Sequence, residues 1–287
     1  MKRVYQSKAW YALVGICAIA VFMLGTALWH ILLDAGTLDN SMKGIIGLFV
    51  PDRSDWYIHF ISYILMAPLM SAMFLWFRCF RKQWVHTSVL TSNLALLTAR
   101  NARLDKLAYG LGLKNKVFLL DSDDYFSFCA FCFHPRIYVS RAMVEMLEND
   151  ELEALLLHER YHLENYDPLK IFSGQLMVSA FFFIPIMKDL FKNYLVTKEV
   201  NADSSAVRYQ ANRRGIMGAL QKLLVTNNAG EPAAFAVSGT DTLEYRIEHL
   251  VGGAYKQRIS LSHIAVSLLM LFLVIGSLLA SFAAMGR

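Results

Sequence analysis

The sequence has little charge. Asp, Glu, Lys and Arg make up 18% of its 287 residues, hydrophobic residues make up 56%, and the mean hydropathy is +0.38. None of the four charged residue types occurs within 10–33, 56–77 or 259–286. Each of these stretches exceeds the roughly 20 residues that cross a bilayer. A single such stretch is compatible with a buried core helix, but three exclude an ordinary soluble domain and predict an integral membrane protein.

The first apolar stretch lacks a small-residue cleavage site and is too long for a removed signal peptide, so it predicts a signal anchor. Lys2, Arg3 and Lys8 precede it, whereas the loop before the second stretch is mainly acidic. Because basic residues favour the cytoplasmic side of a span, this asymmetry places the N-terminus and about 78–258 in the cytoplasm. The predicted location is the inner (cytoplasmic) membrane, as a multi-pass protein with the lipid bilayer as a partner.

The sequence has no basic stripe with interleaved aromatic residues, which argues against nucleic acid as a partner, although the net charge is +5. It has only four cysteines, and a cytoplasmic location disfavours disulfides. Cys129 and Cys132 form a CxxC motif that could bind metal or carry out redox chemistry. The motif lies in an apolar run without a second CxxC, so a structural role is the favoured interpretation.

The main chemical signal is a histidine pair in a segment that reads as one helix. The segment follows Asn149-Asp150, a plausible N-cap, and has no Gly or Pro before Pro168. His158 and His162 are four residues apart and therefore share a helix face, from which both can reach one zinc ion. Glu159 between them completes an HExxH motif, in which the glutamate takes a proton from the attacking water.

A catalytic zinc site needs a third protein ligand, and a second helix offers one. Glu199 and Asp203 are four residues apart in a segment that reads as helical. We expect Glu199 to be the third ligand of a single Zn²⁺. We expect Asp203 to accept a hydrogen bond from the outward N–H of a ligating imidazole. Acids at this spacing are often only a solvated helix face, so the prediction depends on the HExxH motif.

The remaining periodicity predicts a mainly α protein with a small antiparallel sheet (α+β). A helix over 89–110 precedes three short strands at 117–120, 126–133 and 136–139. The aromatic-rich second strand is either an edge strand that pairs with substrate or simply part of the core, and the sequence favours neither. If His158 and Glu199 share a metal, the apolar 171–187 is an interfacial or buried helix rather than a span. The predicted divisions are 1–80 with spans at about 10–33 and 56–77, a peptidase domain at 81–258, and a last span at 259–287.

Together these motifs resemble the membrane metallopeptidase family of the bacterial β-lactam sensor-transducer receptors, of the gluzincin HExxH type. Relatives of that family are the heat-shock membrane protease HtpX and the CAAX prenyl endopeptidases. The resemblance implies a minimal gluzincin zinc-peptidase core between transmembrane helices, with Asp167 as a further acceptor and Arg246 or Tyr245 as the oxyanion stabiliser. The segments that carry it are 126–140, 151–162, 167–169, 198–203 and Arg246.

Two departures from these families matter. The receptors carry an extracytoplasmic penicillin-binding sensor after their last span, whereas only Arg287 follows the third apolar stretch here. HtpX-like relatives often have a His-Pro pair before the late arginine, where this chain has Gly239-Thr240-Asp241-Thr242. β-Lactam sensing therefore does not follow from the resemblance, and the oxyanion stabiliser stays open.

The sequence thus predicts a membrane-bound zinc metalloendopeptidase that acts at the cytoplasmic membrane face, in regulatory signalling or membrane-protein quality control. Its substrate would be a protein or peptide, such as a transcriptional repressor, a membrane protein or the enzyme itself. The alternative is a catalytically degenerate signalling or scaffold protein that keeps the fold, which Arg160 inside the motif and the missing His-Pro pair favour. A transporter is disfavoured, because ionisable residues of transporters lie within spans, and here the acids cluster outside them.

Overall fold

The computed structural model describes residues 98–227, 239–253, 259–270 and 272, together with the helical residues 74, 77, 78 and 81. Over these residues the chain is mainly helical, with one small sheet. A further helical segment lies at 261–270. The elements, in chain order, are β1 Thr98–Ala99, α1 Ala102–Gly110, β2 Val117–Leu120, β3 Ser127–Ala130, β4 Arg136–Ser140, α2 Arg141–Met146, α3 Asn149–Glu164, α4 Asp167–Ala180, α5 Ile186–Gln210, α6 Arg214–Asn227 and α7 Gly239–Val251.

The structure corrects the predicted integral-membrane fold class. Within the described residues, no helix combines the length and the apolar character needed to cross a membrane. The 25 residues of α5 include seven charged ones, and the apolar α4 has only 14 residues, or about 21 Å against a hydrocarbon core of about 30 Å. The same finding corrects the predicted location as a multi-pass protein of the inner membrane.

Most of the predicted spans cannot be compared with the structure. The span predicted at 10–33 lies outside the described residues, and so does the span at 56–77 except for residues 74 and 77. In the last predicted span, 259–287, the structure describes 259–270 and 272.

The sheet is mixed rather than antiparallel, which corrects the second part of the predicted fold class. The described strands lie in the order β1-β2-β4-β3. β1 and β2 are antiparallel, β2 and β4 are parallel, and β4 and β3 are antiparallel. In the sheet, β4 lies between β2 and β3. Strand β2 therefore pairs with a strand that is not the next one along the chain. β3 is an edge strand of this sheet, as the first of the two interpretations of 126–133 expects.

The two faces of the sheet pack differently. Leu119, Ile137 and Val139 point into the main core, which they share with buried residues of α1, α2 and α3. The alternate residues of the strands form an aromatic layer on the other face. There the Tyr138 ring lies 5.6 Å from the Phe118 ring and 5.5 Å from the Phe128 ring. Phe128 of β3 lies in this aromatic layer, so the opposite face of β3 is turned toward α3.

Helix α3 is the central helix of this core. It begins with a capping box in which Glu148 is the N-cap and Glu151 accepts from the Glu148 backbone N–H. The cap is thus one residue earlier than the predicted Asn149-Asp150. The helix packs against α6, β3 and β4, and most of its residues from Glu151 to Leu163 are buried. Such surroundings hold the His158 face of the helix rigidly.

The apolar segment predicted as one helix at 171–187 is interrupted. Helix α4 ends at Ala180, and α5 begins at Ile186 after a turn that contains Pro185. Because proline cannot donate a backbone hydrogen bond, it suits the position just before the new helix. The predicted division into domains stays a prediction.

By its internal contacts the chain forms two compact units. One comprises Arg81–Gln175 and Lys192–Arg258, and it contains the sheet and the predicted site residues. The other comprises Met1–Phe80, Leu176–Phe191 and Ile259–Arg287, and Phe181 and Met187 are buried within it.

Candidate metal centre

Helix α3 brings the two motif histidines together. His158 and His162 are buried, with 5% and 6% of their surface exposed. Their rings are 4.7 Å apart and nearly perpendicular, and their Nε2 atoms are 3.1 Å apart. Both Nε2 atoms therefore point to the same spot, as the spacing of four residues on a helix predicts.

Helix α5 adds Glu199 to this pair. Its Oε2 lies 3.2 Å from the His158 Nε2 and 3.7 Å from the His162 Nε2. In the part of the chain that the structure describes, these three residues form a group of potential metal ligands whose ligand atoms all lie within 4.8 Å of one another. The structure thus brings together the three predicted ligands.

The spacing of these atoms fits a small tetrahedral ion. Zinc binds imidazole nitrogen at about 2.0 Å in tetrahedral geometry, which requires neighbouring ligand atoms to be about 3.3 Å apart. The three observed separations, 3.1, 3.2 and 3.7 Å, lie close to that value. Two nitrogens and one carboxylate oxygen form the ligand set of many catalytic zinc sites, which keep a fourth position open.

A carboxylate holds the outward nitrogen of each histidine. His158 Nδ1 lies 2.7 Å from Asp203 Oδ1, and His162 Nδ1 lies 2.7 Å from Asp167 Oδ2. Both aspartates are buried, with 0% and 1% exposed. An N–H donated from Nδ1 fixes the ring orientation and leaves Nε2 as an acceptor for a metal. The geometry agrees with the predicted positions of Asp203 and Asp167.

Arg246, a predicted candidate for the oxyanion stabiliser, lies beside the three ligands, and that role stays a prediction. Its Nε and Nη2 donate to the two oxygens of Asp203 at 2.8 and 2.7 Å, while Nη1 lies 3.8 Å from Glu199 Oε2. Burial alone would raise the pKa of Asp203, but the Arg246 guanidinium and the His158 imidazole together lower it to about 2. Arg246 therefore holds Asp203 in place, and the role of the half-buried Tyr245 beside it stays a prediction.

Glu159 is buried beside the ligands and has a partner that the sequence did not reveal. Its exposed fraction is 5%, and its Oε1 accepts a hydrogen bond of 2.8 Å from the Ser127 hydroxyl. Ser127 lies on β3, so the edge strand contacts the acid of the HExxH motif directly. A serine in an apolar strand gives no such signal, because the packing of β3 against α3 is a tertiary contact.

Lys198 is a second residue that sequence reasoning missed. It is only 5% exposed, and its Nζ donates to Glu199 Oε1 at 2.6 Å. Burial alone would raise the pKa of Glu199, but the Lys198 ammonium and the two imidazoles hold it well below its usual range. Neighbours in a helix sequence do not normally face each other, so the sequence offered no reason to pair them.

The same charges act on His162. Burial alone would lower its pKa, but the Glu199 charge and the hydrogen bond that His162 donates to Asp167 raise it to about 9. Asp167 also accepts a long hydrogen bond of 3.4 Å from the Tyr194 hydroxyl, a third residue that the sequence did not indicate. A protonated imidazole cannot bind metal, so an ion must displace this proton when it binds.

The two doubtful sequence features have structural explanations. Arg160 points away from the histidines and pairs with Glu164 at 2.6 Å, four residues further along the exposed side of α3. Cys129 and Cys132 are free thiols. Burial raises the pKa of both thiols, which is the opposite of what a reactive or metal-binding thiolate requires. These features agree with the structural interpretation of the CxxC motif.

The chain matches the model of a known protein family. A family model described as BlaR1 peptidase M56 matches residues 54–250, which include every candidate site residue named above. No curated protein matches the chain.

Proposed function

We propose, from the premise that this chain belongs to the BlaR1 peptidase M56 family, that it is a zinc-dependent endopeptidase of protein or peptide substrates. The observation that carries the proposal is the convergence of three ligand atoms beside a buried glutamate. His158, His162 and Glu199 would hold one Zn²⁺. When bound, the ion would supply Lewis-acid chemistry, polarising a carbonyl oxygen and making water more acidic.

Glu159 is the candidate general base. It follows a metal ligand directly in the helix, and Ser127 engages only one of its oxygens, Oε1. The other oxygen, Oε2, would accept the proton of the attacking water and return it to the leaving amine. The Ser127 hydroxyl keeps the carboxylate in one rotamer during this transfer.

The edge strand β3 is the candidate substrate-binding element. The Ser140 N–H donates to the Phe126 carbonyl. The alternation of an antiparallel ladder then directs the backbone groups of Ser127 and Cys129 away from β4. An extended peptide could pair with these groups, with affinity from the backbone and few demands on its sequence. Because Ser127 also touches Glu159, a peptide bound there would lie beside the base.

The biological role that we propose is regulatory proteolysis. Backbone pairing at an edge strand suits a protein substrate that presents an extended segment, such as a transcriptional repressor or a membrane protein. The competing function is a non-catalytic scaffold. Arg160, which first favoured that alternative, pairs with Glu164 away from the site and no longer supports it.

The test compares wild type with Glu159→Gln in the purified full-length protein, with casein and self-cleavage as readouts. We expect equal zinc content, because Glu159 is not a ligand. We expect cleavage to fall by roughly 10² to 10⁴-fold, the usual contribution of a general base. Glu164→Gln, an exposed acid on the same helix, is the matched control and should cleave like wild type.

Two results would contradict the proposal. Equal cleavage by Glu159→Gln would remove this residue as the base. A wild type that holds no zinc and stays inactive after zinc is added back would support the scaffold function.

A further inference from the structure

Lys198 is a buried charge that the proposed mechanism does not use. Its side chain is 6% exposed, and its Nζ lies 2.6 Å from Glu199 Oε1. A lysine ammonium is strongly hydrated, so removing it from water is costly unless a close partner compensates. Here the compensating partner is a candidate metal ligand.

The charged side chains around the metal centre are paired with one another unequally. Four buried carboxylates surround the two imidazoles. Three cations oppose them, namely Lys198, Arg246 and the more exposed Lys170, whose Nζ lies 3.9 Å from Asp167. Arg246 is engaged by both oxygens of Asp203, whereas Lys198 is engaged by Glu199. Glu199 is therefore the ligand whose negative charge is already partly neutralised before any ion binds. The carboxylates of the site are Glu159, Asp167, Glu199 and Asp203.

The two oxygens of Glu199 have different surroundings. Oε1 accepts from Lys198, and Oε2 faces the imidazole nitrogens at 3.2 and 3.7 Å. We propose that Lys198 is a positioning residue that keeps Glu199 a single-oxygen ligand and weakens the site's hold on its metal ion. This inference rests on the metal site of the proposed function.

Two opposing effects decide the direction of a Lys198 substitution. Without the ammonium, the Glu199 carboxylate loses its rotamer restraint, which weakens binding by a factor of roughly 30 at most. The same change removes a positive charge that repels a dication within a low-dielectric site and leaves Glu199 in need of a cation. Between charges a few ångströms apart in a buried site, the Coulomb energy exceeds the free energy of rotamer entropy. Removing the repulsion between Lys198 and the ion therefore has the larger effect.

The experiment measures zinc affinity by competition with a chromophoric chelator, in full-length protein, for wild type, Lys198→Met and Lys198→Arg. We expect Lys198→Met to bind zinc at least tenfold more tightly than wild type. Lys198→Arg keeps the charge and should stay within about threefold of wild type. Lys188→Met, an exposed lysine on the same helix, is the control for the chemical change and should leave the affinity unchanged.

The outcomes separate this inference from the proposed function. Zinc binding by wild type with an unchanged or weaker affinity in Lys198→Met overturns the role of Lys198 alone. A wild type that binds no zinc overturns the metal site and, with it, this inference. Circular dichroism checks the fold of each variant. If Lys198→Met does not fold, Lys198→Gln replaces it with the same expected direction, and equal affinity in that variant overturns the inference.

Discussion

Both ring nitrogens of each motif histidine are engaged by a neighbour. The Nε2 atoms of His158 and His162 face Glu199, and their Nδ1 atoms lie 2.7 Å from Asp203 and Asp167. The imidazoles are therefore oriented before a metal binds, and less ordering is needed on binding. On the His158 side the chain of contacts extends one residue further, since Arg246 holds Asp203 through two hydrogen bonds.

The ionised Asp203 carboxylate should make the stability of the fold depend on pH in acid. Burial alone would raise its pKa, but Arg246 and His158 together lower it from 3.8 to about 2. A lowered pKa stabilises the fold above the unfolded value, and this contribution is lost as the pH falls through about 2. We expect the difference in unfolding free energy between wild type and Asp203→Asn to shrink by on the order of 2 kcal/mol between about pH 5 and pH 2.

Urea unfolding at several pH values, with a chelator present, measures this difference. Asp121→Asn is the control, because Asp121 pairs with Arg141 on the surface with 61% of its side chain exposed. Its difference from wild type should vary little with pH. A constant gap for Asp203→Asn would show that the Arg246 contact does not lower the pKa of Asp203.

At this scale the sequence predicts the ligands, the candidate base and one supporting residue, Asp203, but not the other supports. His158, Glu159 and His162 follow from helix geometry, and Glu199 and Asp203 follow from the same spacing on a second helix. Ser127 and Lys198 could not be predicted, because their contacts with Glu159 and Glu199 depend on packing and burial. Arg246 was placed near the site by resemblance alone, and no local pattern indicated its contact with Asp203.

At the scale of elements, α3 and α6 approach each other closely at glycines. A Cβ on Gly215 would lie 2.6 Å from the Asp150 backbone oxygen and 3.1 Å from the Ala154 Cβ. A Cβ on Gly218 would likewise collide with the Glu151 carboxylate. Because α3 carries both histidines, this contact also sets where the metal ligands lie.

The close approach predicts the sign of a helix substitution. Gly to Ala inside a helix usually stabilises by about 1 kcal/mol, but the Asp150 backbone cannot move aside cheaply. We expect Gly215→Ala to lower the unfolding free energy by about 1 to 3 kcal/mol, as overpacking does. Gly110→Ala, at the end of α1 with nothing within 4 Å, is the control and should be neutral or slightly stabilising. A Gly215→Ala protein as stable as wild type would contradict the packing.

Local patterns predict single elements better than their pairing. The strands at 117–120 and 136–139 and the HExxH helix lie close to where periodicity puts them. The predicted helix at 89–110 is described only from residue 98, and α1 begins at Ala102 after the Asn101 cap. The two-residue β1 and the parallel pairing of β2 with β4 were missed, because no local signal specifies which non-consecutive strands pair.

At the scale of the whole molecule, hydropathy alone gave a fold class that the structure corrects. Within the described residues, α4 is too short and α5 carries too many charged residues to cross a membrane. A composition of 56% hydrophobic residues gives the total amount of apolar side chain. It does not say where individual helices begin and end within an apolar segment. The apolar segment at 171–187 is split between α4 and α5 by the turn before Ile186, which contains Pro185.

The last prediction follows from how the metal centre connects distant parts of the chain. The two histidines come from α3 and Glu199 comes from α5, so an ion that binds them stabilises only the folded state. At a free zinc concentration of 1,000 times the Kd this contributes about 4 kcal/mol, or an increase in Tm on the order of 10 °C for a chain of this size. We expect chelation to lower the Tm by this amount and added zinc to restore it.

The matched variants are Glu199→Gln and Glu159→Gln. Glu199→Gln loses a ligand and should lose most of the zinc-dependent increase in Tm, whereas Glu159→Gln should keep it. An equal increase in both variants would show that Glu199 is not a ligand, because the carboxylate would then contribute nothing to the stability that the ion provides.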